Sequence, residues 1–419
     1  MLNYSVAELR LNMLYRNVSH IVLVFTILFV LRIVPAFPYP QRFQIVLAFL
    51  LSAFFCFSFL KSKECHDPKN KIVNLFIYYV IGYLAIGVIK NYFQPSSLFL
   101  INQADAIFCL ALFALIPVYS KPRFLRSFAI QYFWICPILL LSSLPFAWVA
   151  SYADILGYTP IFILFIPFLS RKKRWLVVSF MILSIITTSQ RIYYLRYAFM
   201  LCSLALYYLP LLKNRILLFV HKLFFLIPLA CLIAAFVYNF NVFDFHSYLG
   251  KGESVHVQST GADENSLDDT RTFIYQEALL SATNNDYVLL GRTPFYGYES
   301  LFQSKRMSEL GFIVKGVSIE RISEVHMESI FTWFGLIGVI FYFGFLFVTS
   351  RKCIKDSNNR YCKILGVSMA FMWCLLWIEY SFAFTPSYFV FLVLLGLCYN
   401  SKLLGMSDEQ IKQYFLKIF

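Results

Sequence analysis

Charge is scarce in this chain. Of 419 residues only 14% are Asp, Glu, Lys or Arg, whereas 60% are hydrophobic and 19% aromatic. So few charges cannot keep so much apolar surface in water, which excludes a soluble enzyme or binding module and implies a membrane protein. Cysteine is missing where it would tell most: none of the ten lies in 239–328, the one long polar stretch. Spacings such as Cys353 to Cys362 also lack a paired-ligand pattern, so neither a disulfide framework nor a zinc site is expected. There is no Gly-rich phosphate loop, no repeat period and no low-complexity tract. Residues 1–17 carry Glu8, Arg10 and Arg16 but no small-residue cleavage signature, and read as an uncleaved cytoplasmic amphipathic lead.

What is present is a series of apolar runs. Segments of roughly twenty residues, enough to cross a bilayer, fall near 19–37, 43–60, 72–90, 98–118, 127–148, 157–170, 175–190, 193–212, 216–238, 329–349, 363–382 and 385–401. The net charge of +14 does not point to nucleic acid, because the basic residues sit in short clusters between these runs. Lys61, Lys63, Lys69 and Lys71, then Lys121, Arg123 and Arg126, then 171–174, then Lys213 and Arg215, then Arg351, Lys352, Lys355, Arg360 and Lys363 occupy alternate connections. By the positive-inside rule both termini are cytoplasmic and 239–328 lies outside. That loop holds thirteen acidic and seven basic residues, leaving nine and twenty-nine elsewhere. The expected fold is an all-α polytopic membrane protein: about twelve transmembrane helices, with nine in 1–238, a large extracytoplasmic loop domain at 239–328, and three in 329–419.

The loop has internal order. After a Gly- and Ser-containing stretch at 250–266, Asp268, Asp269 and Thr270 are candidate N-caps for a helix over 271–283. There Phe273, Ile274, Ala278, Leu279 and Ala282 recur at helical spacing. Gly291-Arg292-Thr293-Pro294 and Tyr296-Gly297-Tyr298 carry turn chemistry for a rigid corner over the membrane domain. A second helix starting near Ser323 would run into the tenth span, with His326 in its first turns near the membrane surface. A folded cap without chemistry is the alternative, although long ordered loops usually carry function.

Arginine supplies the sharper signal. Arg191 and Arg196 flank a short outer connection, against the positive-inside bias, and Arg271 and Arg292 lie in the loop on the same side. A guanidinium fork matches phosphate oxygens; the competing reading is snorkelling to lipid headgroups or pairing with acidic loop residues. His326 is either a hydrogen-bonded structural residue or a general base. On one helix Glu324 and Glu328 would share a face with His326 roughly opposite, so its orienting partner would come from elsewhere, such as Arg191 or Asp154. Asp105 and Glu379, within the outer halves of spans, are functional candidates or neutralise an arginine.

Taken together, Ser189-Gln190-Arg191, Asp269-Thr270-Arg271, the Gly291-Arg292-Thr293-Pro294 turn leading to Gly297, and His326-Met327-Glu328 before Gly335-Leu336-Ile337-Gly338 resemble the superfamily of O-antigen polymerases and ligases. The topology is similar over nearly the whole chain, the motifs over about a third of it. The commoner Ser-Arg-Gly and His-Asn are here Ser189-Gln190-Arg191-Ile192 and His326-Met327, leaving Arg191 and Arg196 as alternatives at the first site. The resemblance implies a GT-C-like glycosyltransferase of the bacterial inner membrane. Its donor and acceptor would be undecaprenyl-diphosphate-linked glycans, polymerised at the periplasmic face, with the bilayer and a chain-length regulator protein as partners and no nucleic acid. His326, Arg271 and Arg191 would be catalytic; Arg196, Arg292, Glu324 and Glu328 would bind substrate. No metal or other cofactor is expected, since arginines can stabilise a diphosphate leaving group and Asp268-Asp269 reads as a cap. A ligase transferring glycan to lipid A core would use the same residues. A flippase or other transporter would place charges through the middle of several spans, whereas here they cluster at one face.

Overall fold

The apolar runs of the sequence become helices, because a chain in hydrocarbon must satisfy its backbone polar groups internally. The computed structural model describes residues 17–18, 20–28, 41–61, 70–93, 101–143, 152–188, 191–209, 213–238, 254–257, 262–265, 271–301, 318–320, 323–379 and 382–419. The N-terminal lead at 1–16, much of the first apolar run, Ser189, Gln190, Asp268 and Asp269 lie outside the described residues.

The membrane part contains α1 (Gln41–Lys61), α2 (Lys71–Phe93), α3 (Ile101–Ala111), α4 (Pro122–Ile130) with its continuation α5 (Cys136–Ser143), α6 (Tyr152–Ile155), α7 (Thr159–Phe165), α8 (Arg171–Thr187), α9 (Arg191–Tyr208) and α10 (Asn214–Tyr238). A single π turn, Gln131–Ile135, joins α4 to α5. The loop region contributes a hairpin of β1 (Ser254–Val257) and β2 (Ala262–Asn265), then α11 (Thr272–Asn284), then β3 (Tyr298–Ser300) paired with β4 (Ser318–Glu320). The chain returns through α12 (His326–Lys355), α13 (Arg360–Leu376), α14 (Pro386–Tyr399) and α15 (Asp408–Ile418).

Among the described residues five helical segments are long and apolar enough to cross a membrane: Phe43–Lys61, Lys71–Lys90, Pro122–Ser142, Asn214–Ala234 and His326–Lys355. Shorter apolar helices fill the centre. Every residue of α14 is buried, as expected of a helix that is apolar all round. Its N-terminus is fixed by Thr385, whose side chain accepts from Tyr388 N, and by Pro386 in the first turn. At 14 residues it rises about 21 Å, so the run at 385–401 forms a core helix shorter than a full span. The residues of α7 are likewise all buried.

The loop helix differs from expectation at its start. Arg271 occupies the N-cap position of α11 and its side chain makes no capping bond, while the expected caps Asp268, Asp269 and Thr270 lie outside the described residues. Phe295 anchors the following corner to the membrane domain. A Cβ at Gly87 of α2 would stand 2.2 Å from its ring, and Gln103 of α3 donates to its carbonyl. Tyr83 adds a bond to Leu290 O at 2.9 Å. The loop thus seats on the end of α2 opposite Asn70, which lies beside Lys352 and Tyr399.

α12 is broken at Gly335, where φ is 66° and ψ −169°. The strand of loop from 288 to 293 crosses this break. Arg292 N and Thr293 N donate to Thr332 O and Trp333 O, and Leu336 N and Ile337 N donate to Val288 O and Leu289 O. The orphan carbonyls of one helical end and the orphan N–H groups of the next are therefore satisfied by one peptide segment. Side chains are barred from the crossing: a Cβ at Gly335 would meet Leu289 O at 2.3 Å, and one at Gly291 would meet the Trp333 carbonyl carbon at 2.4 Å.

Candidate functional site

The break sends 326–334 back alongside the start of the helix that follows. His326 Nε2 consequently lies 2.8 Å from the hydroxyl of Tyr342. Phe382 stacks on the imidazole at 4.0 Å between centroids, and Tyr388 and Phe391 complete an aromatic enclosure. His326 has no solvent exposure. It stands at the first position of α12, as the sequence suggested, with its ring enclosed by the protein and its Nε2 beside the Tyr342 hydroxyl.

Glu324 and Glu328 do not share a helical face. The helix begins at His326 with Val325 as N-cap, so Glu324 precedes it. Glu324 is 68% exposed and pairs with Arg271 at 2.7 Å. Glu328 is buried in the first turn of the helix, where it accepts from the Thr332 hydroxyl.

Trp377, Ile378 and Glu379, just past the end of α13, and Phe382 gather the remaining parts. Tyr275 of α11 donates to Trp377 O at 2.6 Å, and Arg271 Nε donates to Ile378 O at 3.1 Å. These carbonyls follow the C-terminus of α13, where donors and positive charge are favoured. The Glu379 carboxylate lies within electrostatic reach of both Arg196 and Arg271. Phe382 carries the stack on His326. Residues 377–379 and Phe382 thus touch the loop helix and α12 and carry the charge that Arg196 of α9 faces.

Arg196 is only 4% exposed, with its guanidinium carbon 5.1 Å from the Tyr193 ring centroid. Tyr193 in turn donates to Asp154 Oδ1. Burial pushes the Asp154 carboxyl above its ordinary value, while the Tyr193 hydroxyl and the Arg196 charge hold it down. Arg191 opens α9, but its side chain lies outside the described residues. Arg196 acts electrostatically on both Asp154 and Glu379.

Arg292 is engaged elsewhere. It donates to Asn285 Oδ1 at 2.9 Å and Gly297 O at 3.2 Å, and stands 4.6 Å from the Tyr287 ring centroid. These contacts make it a strut of the loop corner. Asp105 accepts from Gln44 Nε2 at 2.8 Å. Glu379 was expected either to be functional or to neutralise an arginine, and the charges of Arg196 and Arg271 both reach it; which arginines these would be was not legible. Pro386, which starts the next helix, was the available signal that α13 must end early enough to leave a turn there.

Chemically, Arg196 and Arg271 are two guanidinium groups whose charges both reach the Glu379 carboxylate, and such groups suit an anion with several oxygens. No protein-family model, curated protein or solved structure matched this chain.

Proposed function

We propose that this chain is a membrane glycosyltransferase of the O-antigen polymerase type, with about twelve spans. It would join undecaprenyl-diphosphate-linked repeat units at the periplasmic face of the bacterial inner membrane without a metal. The observation that carries the reading is that Arg196 from a membrane helix and Arg271 from the loop both lie within electrostatic reach of Glu379. Two arginines from separate elements can hold a diphosphate whose charge grows as it departs.

In the proposed reaction the acceptor hydroxyl oxygen bonds to the anomeric carbon of the donor as the bond from that carbon to the diphosphate breaks. The electron pair leaves on polyprenyl diphosphate, opposite Arg196 and Arg271. The hydroxyl proton passes to Glu379, which is partly exposed beside both arginines. His326, enclosed by aromatic rings, acts as a positioning residue through Phe382. Glu324 serves as the exposed counter-ion that an incoming anion displaces from Arg271.

Deletion of the gene and inspection of the surface polysaccharide tests this reading. Single repeat units attached to lipid A core, with the long ladder lost, are expected. Loss of all attachment with lipid-linked polymer accumulating would make the chain a ligase; repeat units confined to the inner side of the membrane would make it a flippase.

A further inference from the structure

The corner at 288–293 sits deeper than a loop outside the membrane should. Tyr83 of α2 donates to Leu290 O at 2.9 Å. The apolar span of that helix runs Lys71–Lys90, so Tyr83 stands about 10 Å inside Lys90 along the axis. Its side chain leans further toward Lys71, because helical Cα–Cβ bonds tilt toward the N-terminus. Ile86, Val88 and Ile89 lie on the loop side of Tyr83 and are still exposed apolar residues of the span. Hydrocarbon therefore extends past the level at which Leu290 is held. A second attachment agrees. Leu336 N and Ile337 N, just past the break in α12, donate to Val288 O and Leu289 O, and Leu336, Ile337 and Ile340 are exposed apolar residues there too.

Leu289 and Leu290 themselves are 60% and 59% exposed. They belong to no spanning helix, so lipid exposure is not something they inherit from a helix face, and the exposed polar residues Thr283, Asn284 and Asp286 come just before them. The backbone of the corner is prepared for hydrocarbon. Gly291 N donates to Tyr287 O, Arg292 N and Thr293 N donate to Thr332 O and Trp333 O, and the carbonyls of Val288, Leu289 and Leu290 accept from α12 and Tyr83. Irregular backbone is tolerated at membrane depth where the protein satisfies it in this way. The Arg292 charge turns inward to Asn285 Oδ1, Gly297 O and the Tyr287 ring. We infer that the 288–293 corner is a re-entrant wedge in the leaflet on the loop side, with Leu289 and Leu290 packed against lipid acyl chains. Tyr287 N and Arg292 tie the corner to Ala282 O and Asn285, so the wedge fixes the end of α11 at headgroup level.

The test uses Leu290→Cys and Asn284→Cys in the full chain, each labelled with a thiol-reactive, environment-sensitive fluorophore and reconstituted in phosphatidylcholine vesicles. Wild type carried through the same labelling gives the background of native thiols. In Leu290→Cys the label should lose most of its emission to phosphatidylcholine brominated on its acyl chains and little to iodide. In Asn284→Cys, at an exposed position, the order should reverse. Iodide quenching at 290 equal to that at 284 would put the corner in water and overturn the inference. Protection from both quenchers that is lost on diluting the protein in lipid would overturn it too, by showing a second copy of the chain on the corner. Leu289→Asp with Leu290→Asp supplies a check without dye. Charged side chains are costly in hydrocarbon and near neutral in effect on a wet surface, so the melting temperature of this double variant in lipid nanodiscs should fall clearly below wild type. No change there would overturn the inference; if the double variant does not insert at all, the quenching result decides.

Discussion

His326 and Tyr342 share a 2.8 Å hydrogen bond although sixteen residues separate them. Along an uninterrupted helix their Cα atoms would stand about 24 Å apart, so the bond exists because the chain turns back at Gly335. The loop corner at 288–293 occupies that turn, while Ile378 is held by Arg271 at the start of the loop helix and Phe382 stacks on His326. The fold of the loop and the geometry of the arginine cluster therefore stand or fall together.

Gly335→Ala tests the turn. Left-handed backbone at a non-glycine residue costs on the order of 1–3 kcal/mol, and here the added methyl also strikes the Leu289 carbonyl. A clear drop in melting temperature of the detergent-solubilised protein is expected. Gly291→Ala should do the same, and the double variant should lose less than the two losses combined, because both open one crossing. Strict additivity would mean that the two glycines act independently.

His326→Ala and Tyr342→Phe separate positioning from proton transfer. The phenol-to-phenyl change removes one hydrogen bond, about 1 kcal/mol, and should leave polymer ladders largely intact. His326→Ala leaves a cavity beneath Phe382, at about 2–5 kcal/mol by analogy with other core truncations. It should lose donor binding and turnover together, measured with purified lipid-linked repeats. Retained binding with abolished turnover would return His326 to the role of general base.

Arg271→Ala should reduce polymer formation at least about a hundredfold, and Arg271→Lys should recover little because an ammonium cannot reproduce the fork. Arg271 also ties α11 to the end of α13, so a control is needed that loosens the dock without touching the fork. Tyr275→Phe, which removes only the bond to Trp377 O, should keep most activity. Equal losses in Tyr275→Phe and Arg271→Ala at equal expression would assign Arg271 to docking alone.

Local order was legible in the sequence where period and turn chemistry spoke. The loop helix expected at 271–283 is Thr272–Asn284, and the second helix expected near Ser323 starts at His326. The hairpin at Gly335 was not legible, because Ile330 to Phe347 reads as one apolar run and a single glycine is compatible with either course. Nor could spacing reveal that Arg196 turns inward or that Arg292 closes its own loop. Both outcomes depend on tertiary partners, Tyr193 and Asp154 for the first and Asn285 for the second. Treating Glu324 and Glu328 as helical neighbours failed for a related reason: Val325 is extended, and an N-cap moved by two residues separates the two side chains entirely.

Asp154 gives the cluster a pH signature. Burial raises its carboxyl pKa above the ordinary value despite the opposing Tyr193 bond and Arg196 charge, an ordinary value of about 3.9. The native state therefore holds the Asp154 proton more tightly than the unfolded chain does. Its stabilising contribution is full below the unfolded pKa and is lost as pH rises through the raised native one. Relative to Asp154→Asn, which cannot ionise, the wild type should gain thermal stability as pH is lowered from neutral to about 4. Transfer activity should move the other way over the same window, since a protonated Asp154 no longer anchors Arg196 through charge. Melting temperatures and polymerisation rates of both proteins across that range provide the check. Parallel stability curves for wild type and Asp154→Asn would remove Asp154 as the titrating group and, with it, the electrostatic hold on Arg196.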